Sequence, residues 1–165
     1  MDRGNPDAKV LMIGEAPGKN EDAEGRAFVG RSGKLLDAMM KETAGFDTER
    51  DGLIINVVKC RPPANRPPLP EEVEACSPYF QKQFELVKPR IVVLLGATAF
   101  RHLFAAKKKF SMREEVGKFF QDERFPTVNF IVFYHPAFIL RDPRKRPLME
   151  THIRRFRDFW RALGF

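Results

Sequence analysis

Cysteine is scarce in this chain: Cys60 and Cys76 are the only two among 165 residues. They lie sixteen positions apart, which fits neither a thioredoxin-type pair nor a zinc finger. Taken alone, two such thiols read as ordinary buried cysteines of a cytoplasmic protein. Long hydrophobic runs are missing as well. No stretch approaches the ~20 apolar residues of a membrane-spanning helix, and the first ten residues lack the basic and then apolar layout of a signal peptide. Acid is in short supply, with 22 Asp and Glu against 29 Lys and Arg, a net charge of +7. That deficit favours a polyanionic partner. Neither a P-loop nor a Gly-x-Gly-x-x-Gly sequence occurs, which weakens any reading as a small-molecule nucleotide-binding enzyme. Repeats, low-complexity tracts and a second-domain boundary are also lacking. Residues 1–165 therefore read as one domain, with enough chain for a real core.

The apolar residues that are present fall in short runs. Lys9–Ile13, Leu53–Val58, Ile91–Leu95 and Val128–Tyr134 read as strands covered on both faces, because they do not alternate cleanly. Helical patterns lie between and after them, over Ser32–Glu42, Pro70–Leu86, Ala97–Phe104 and Pro147–Leu163. The last places Met149, Ile153, Phe156, Trp160 and Leu163 on one face, a stripe that suits core packing. Alternating strands and helices require right-handed crossovers. The expected fold is α/β: a three-layer α/β/α domain around a mostly parallel sheet of four strands. Charge placement adds to the total. Eight Lys or Arg lie between Arg141 and Phe165 against three acids, and Lys59, Arg61 and Arg66 form a second acid-free cluster over residues 59–67.

Three strand ends deliver candidate chemistry. The first breaks into Gly14-Glu15-Ala16-Pro17-Gly18, a rigid loop carrying a carboxylate at a place where open α/β sheets put their sites. The second carries Asn56 within an aliphatic run. Its amide needs partners there, supplied either by a neighbouring loop or by a ligand's polar edge. The fourth ends in Tyr134-His135-Pro136. A lone histidine after a strand is more often structural than catalytic. His102 and His152 sit in helix-like stretches and read as structural. Phe28, one of sixteen phenylalanines, would by itself read as core.

Together these pieces resemble the uracil-DNA glycosylase superfamily. Gly14-Glu15-Ala16-Pro17-Gly18, Glu21-Asp22, Gly25, Phe28-Val29-Gly30 and Gly33 are similar to its first motif. Asn56-Val57-Val58-Lys59-Cys60-Arg61-Pro62-Pro63 is similar to its uracil-recognition strand and following loop, and His135-Pro136-Ala137 to its second catalytic motif. The resemblance is strongest to the thermostable family 4 branch and covers nearly the whole chain. It implies an enzyme that flips uracil out of DNA and hydrolyses the N-glycosidic bond, leaving an abasic site. It assigns Glu15 to water or the cationic sugar, and His135 to the uracil O2. Phe28 would stack on the base and Asn56 would read its polar edge. Gly14 belongs to the same motif, and Ala16 and Glu21 are the candidates for crowding out the thymine methyl. The loop after His135, with Phe138, Leu140 and Arg141, suits a wedge in the DNA stack, with burial under the last helix as the plain alternative. Lys59, Arg61, Arg141, Arg144 and Lys145 would contact phosphates. The implied partner is uracil-containing DNA, bound by a monomer.

Family 4 members hold a [4Fe–4S] cluster on four cysteines. Cys60 and Cys76 match the second pair, whereas the first pair has no counterpart in this sequence. Either a short N-terminal extension is absent from the sequence or the protein does without a cluster, and the expectation is no cluster on the chain as given. No cofactor is expected in the chemistry. The histidine-bearing insertion of the branch that bonds covalently to DNA is also missing, so no covalent trapping is expected. The rival from another class is a DNA-binding protein that keeps the fold without catalysis.

Overall fold

The computed structural model describes residues 2–104 and 111–164. Its centre is a six-stranded sheet in the order β1-β3-β2-β4-β6-β5. The four inner strands are β2 (Val10–Gly14), β3 (Gly52–Asn56), β4 (Ile91–Leu95) and β6 (Phe125–Phe133), and they run parallel. These are the four apolar runs expected from sequence. The strand count is six rather than four because two short strands close the edges. β1 (Asp2–Gly4) pairs antiparallel with β3, and β5 (Phe119–Asp122) pairs antiparallel with β6. Each is four residues or fewer and partly polar, so neither carries a hydrophobic pattern long enough to read.

Period-two side-chain alternation divides the core into two layers. Val10 and Met12 of β2, Ile91, Val93 and Leu95 of β4, and Ile131 and Phe133 of β6 face one layer. Helices α2 (Arg31–Ala44), α6 (Pro136–Arg141) and α7 (Arg146–Ala162) cover it with Leu36, Met39, Met40, Ile139, Ile153 and Phe156. Leu11, Ile13, Val92, Leu94, Phe130 and Val132 face the other layer. There α3 (Pro70–Val87) and α4 (Ala97–Leu103) supply Phe80, Val87, Ala99 and Phe100. Two further short helices, α1 (Lys19–Glu24) and α5 (Met112–Glu115), lie in the connections. The stretch after His135 is thus a helix and not an open loop. Pro136 suits its first turn, and His135 caps it.

The basic C-terminal segment splits into two roles. Arg155 donates to the Gly117 carbonyl at 3.0 Å, Arg157 to Thr43 at 3.4 Å and Arg161 to Ala44 at 3.4 Å. Two of these arginines therefore satisfy the last carbonyls of α2, which no intrahelical N–H can reach. Arg141, Arg144 and Lys145 remain exposed. The sheet order reverses direction at β2, since β3 lies on one side of it and β4 on the other. That switch point opens a crevice beyond the carboxyl ends of β2 and β4.

Candidate active site

Glu15 leaves the end of β2 directly into this crevice. Its loop is pinned to the segment after β3, because Val57 N–H donates to the Gly14 carbonyl at 3.0 Å and Val58 N–H to that of Glu15 at 2.9 Å. The same two bonds fix the loop relative to Asn56. Gly14 permits the close packing here. A Cβ on it would stand 2.5 Å from the Phe28 ring and 2.6 Å from the Asn56 Oδ1. The ring and the amide therefore converge on bare backbone, which any side chain at position 14 would push apart.

Phe28 sits in the left-handed region at φ 54°, unusual for a bulky residue. Such a conformation costs about 1–3 kcal/mol and persists only where its surroundings over-determine it. They do so from both sides. The Glu21 carboxylate accepts from Val29 N–H at 2.9 Å and Gly30 N–H at 2.7 Å, and its other oxygen from Gly18 N–H at 3.1 Å. The Arg3 guanidinium donates to the carbonyls of Ala27 at 2.9 Å and Phe28 at 3.2 Å. Glu21, a candidate filter against the thymine methyl, thus has its carboxylate engaged in bracing the loop. The Phe28 ring lies 5.7 Å from the His135 ring, tilted by 35°.

Asn56 is 1% exposed, and both polar atoms of its carboxamide lack a hydrogen-bond partner in the protein. Its backbone carbonyl is held by Lys59 Nζ at 2.6 Å. The same ammonium donates to Gln83 Oε1, whose amide donates to Asp2 at 3.2 Å, and it lies 5.7 Å from the Phe80 ring centre. Burial drives the Lys59 pKa down to about 8, against the opposing pull of Asp2 and Cys76. Lys59 was expected to face a phosphate. Its amine is turned inward instead, bracing the strand that carries Asn56.

His135 caps α6, and its Nδ1 accepts the Ala137 N–H at 3.0 Å. A nitrogen that accepts cannot carry the proton, so the neutral ring is protonated at Nε2, which becomes a donor. Burial, with Arg141 adding to it, pushes the pKa down to about 4, so the ring is neutral near pH 7. A neutral donor beside an aromatic ring, an unpartnered carboxamide and a carboxylate is an arrangement for gripping a planar heterocycle and stabilising negative charge on it.

Glu15, Ala16, Glu21, Phe28, Asn56, His135 and Arg141 line one cleft of about 620 Å³, within the ~300–1,000 Å³ range of small-molecule sites. Gly96, Ala97 and Thr98 at the start of α4 close another side, and Ser32 and Asn65 also line it. These α4 residues escaped the sequence reading, although the end of the third inner strand was a place to look. Arg61 donates to Asn65 Oδ1 at 2.7 Å beside the mouth, and Arg144 pairs with Asp142 at 2.8 Å. Lys145 is exposed in the turn that follows α6. Phe138 stacks on Tyr134 at 5.1 Å against the core, and Leu140 is half-buried, so neither stands out from the surface as a wedge would. His152 is 3% exposed within α7, and His102 lies on α4 with its Nε2 buried and unpartnered. Cys60 is exposed and Cys76 half-buried, its sulfur accepting from Lys59 N–H at 3.4 Å. Two thiols are half the donor set of a four-iron cluster, and among the described residues no group of three or more His, Cys, Asp or Glu could hold a metal. The described residues therefore do not fit such a cluster. No helix among them is long and apolar enough to cross a membrane.

Comparison with known proteins agrees with this geometry. The family model of the uracil DNA glycosylase superfamily matches residues 1–164. A type-4 uracil-DNA glycosylase of Sulfurisphaera tokodaii is 43% identical over 159 residues, covering 94% of this chain and 71% of that protein. One of Archaeoglobus fulgidus is 41% identical, over 92% of this chain and 77% of its own length. A type-5 uracil-DNA glycosylase of Thermus thermophilus is 31% identical over 74% of this chain and 60% of that protein.

Proposed function

This chain belongs to the uracil DNA glycosylase superfamily, and from that premise we propose that it is a DNA-repair enzyme that flips uracil out of DNA and hydrolyses its N-glycosidic bond, leaving an abasic site. The observation that carries this reading is the Asn56 carboxamide. A buried amide with no protein partner is costly, and this one faces a cleft shared with Phe28, Glu15 and His135. A pyrimidine edge offering an acceptor at O4 and a donor at N3 satisfies both of its atoms.

The steps follow from where charge develops. A base inside the duplex is unreachable and must first be everted. Phe28 then stacks on its face and Asn56 fixes its edge. As the bond between the sugar and the base stretches, electrons move into the ring, largely onto O2, and the sugar becomes cationic. His135 donates from Nε2 to that oxygen as a neutral acid, with no need to give up its proton. Glu15 orients the water that attacks the sugar carbon and stabilises its positive charge. Protein side chains fill each of these roles, so no cofactor takes a step. Arg141 lines the cleft and Arg61 bonds to the lining Asn65, and with the exposed Arg144 and Lys145 they are the cations offered to the phosphate backbone. A DNA substrate together with two free thiols supports a cytoplasmic setting.

The test is cleavage of an oligonucleotide carrying one uracil, followed by alkaline scission, with thymine and hypoxanthine controls. Release of uracil but not thymine is expected. Folded protein that binds the oligonucleotide without releasing base would favour the non-catalytic DNA-binding alternative.

A further inference from the structure

We propose that Arg3 is a positioning residue for uracil binding, holding Phe28 in the backbone conformation that turns its ring into the cleft. The inference rests on the reading of Phe28 as the stacking aromatic. Arg3 is 5% exposed, and the five N–H groups of its guanidinium match five acceptors. Nε serves Ala27 O, Nη1 serves Thr48 Oγ1 at 3.2 Å and Glu49 Oε1 at 3.0 Å, and Nη2 serves Phe28 O and Asp37 Oδ1 at 2.8 Å. Two of these acceptors are consecutive carbonyls at the residue with φ 54°. Asp37 belongs to α2, while Thr48 and Glu49 belong to the connection before β3, so the fork ties the Phe28 loop to two separate parts of the fold.

The Phe28 carbonyl has little other freedom. A Cβ on Gly33 of α2 would stand 1.8 Å from its oxygen. The helix therefore lies directly against that carbonyl, and Arg3 donates to it there. A lysine at position 3 would keep the charge but present its donors from a single point, unable to span both carbonyls and the carboxylates.

The test compares R3K, F28A, the double variant R3K/F28A and F46L, a core change remote from the cleft. All are assayed well below their melting temperatures for uracil release and for inhibition by free uracil. R3K is expected to lower kcat/KM by about tenfold and to weaken free-uracil inhibition by a similar factor, the scale of one base-stacking contact. In the F28A background the same change should cost under about twofold, because two residues acting through one contact are not additive. F46L should lose stability without either effect. Equal losses from R3K in both backgrounds would overturn the proposal. A crystal structure of R3K gives an independent measure. Phe28 leaving the left-handed region supports the assignment, and Phe28 unchanged overturns it. Failure of the unmodified protein to release uracil would instead overturn the substrate, leaving the conformational measurement to decide Arg3.

Discussion

Asn56 places recognition and stability in opposition. No protein group satisfies the buried carboxamide, so an apolar side chain of similar shape forfeits no protein hydrogen bond there. Asn56→Leu, similar in shape and free of polar atoms, is expected to melt at the same or a higher temperature. Uracil release under single-turnover conditions should fall by about 10²–10³-fold, the range for one preorganised donor. A variant that lost stability as well as activity would show that the amide has a partner inside the protein. Two histidines, His135 and His152, set an acid limit on the fold. Burial is the main cause in each, with Arg141 adding at His135 and Arg155 at His152, and both pKa values fall to about 4. A histidine free in the unfolded chain binds its proton near 6.5. Between those values the unfolded state holds more protons, so stability is intact above pH 6.5 and declines as pH falls towards 4. Thermal melts from pH 7 to 4 should show this decline, and His152→Leu should flatten part of it. At this scale the residues alone left Phe28 as core, Asn56 open and His135 as structural, and only the family resemblance joined them with Glu15 in one site. The inward turn of Lys59 could not be read from sequence. It depends on Gln83 and Asp2, which only the fold brings near.

The helices show what charge patterning leaves open. Arginines along α7 resemble a nucleic-acid surface in sequence, yet Arg157 and Arg161 reach the carbonyl end of α2. The carbonyls they satisfy lie more than a hundred residues away, and no local signal reports them. Replacing both with glutamine should lower stability by roughly 0.3–1 kcal/mol each, as for cations at a helix C-terminus. It should leave the salt dependence of DNA binding unchanged. Arg144→Gln with Lys145→Gln should do the reverse, keeping the melting temperature while reducing the slope of log Kd against log salt by about 0.7–0.9 per lost contact. Fluorescence anisotropy across a salt series separates the two pairs. The inner strands were legible because burial on both faces demands uninterrupted Val, Ile, Leu and Phe. The edge strands were not, because β1 offers Asp-Arg-Gly and β5 is partly exposed. Helix α6 was missed for a related reason: six residues hold too little of a 3.6-residue period to register.

Across the whole molecule, the switch point between β2 and β4 brings distant strand ends into one crevice, and β1 fastens that crevice from outside. Its two charged side chains point to opposite faces of the sheet, as adjacent strand residues must. Arg3 reaches the Phe28 loop, and Asp2 reaches Gln83 and through it the Lys59 that holds Asn56. Both walls of the recognition slot therefore hang on one three-residue edge strand. Short edge strands open at lower free energy than the interior of a sheet. Warming should accordingly blunt catalysis ahead of melting, with hydrogen exchange at Asn5, whose N–H donates to the Gly52 carbonyl at 2.8 Å, quickening over the same interval. The outermost strand would then work as a thermal fuse, disarming the enzyme while the rest of the fold stands.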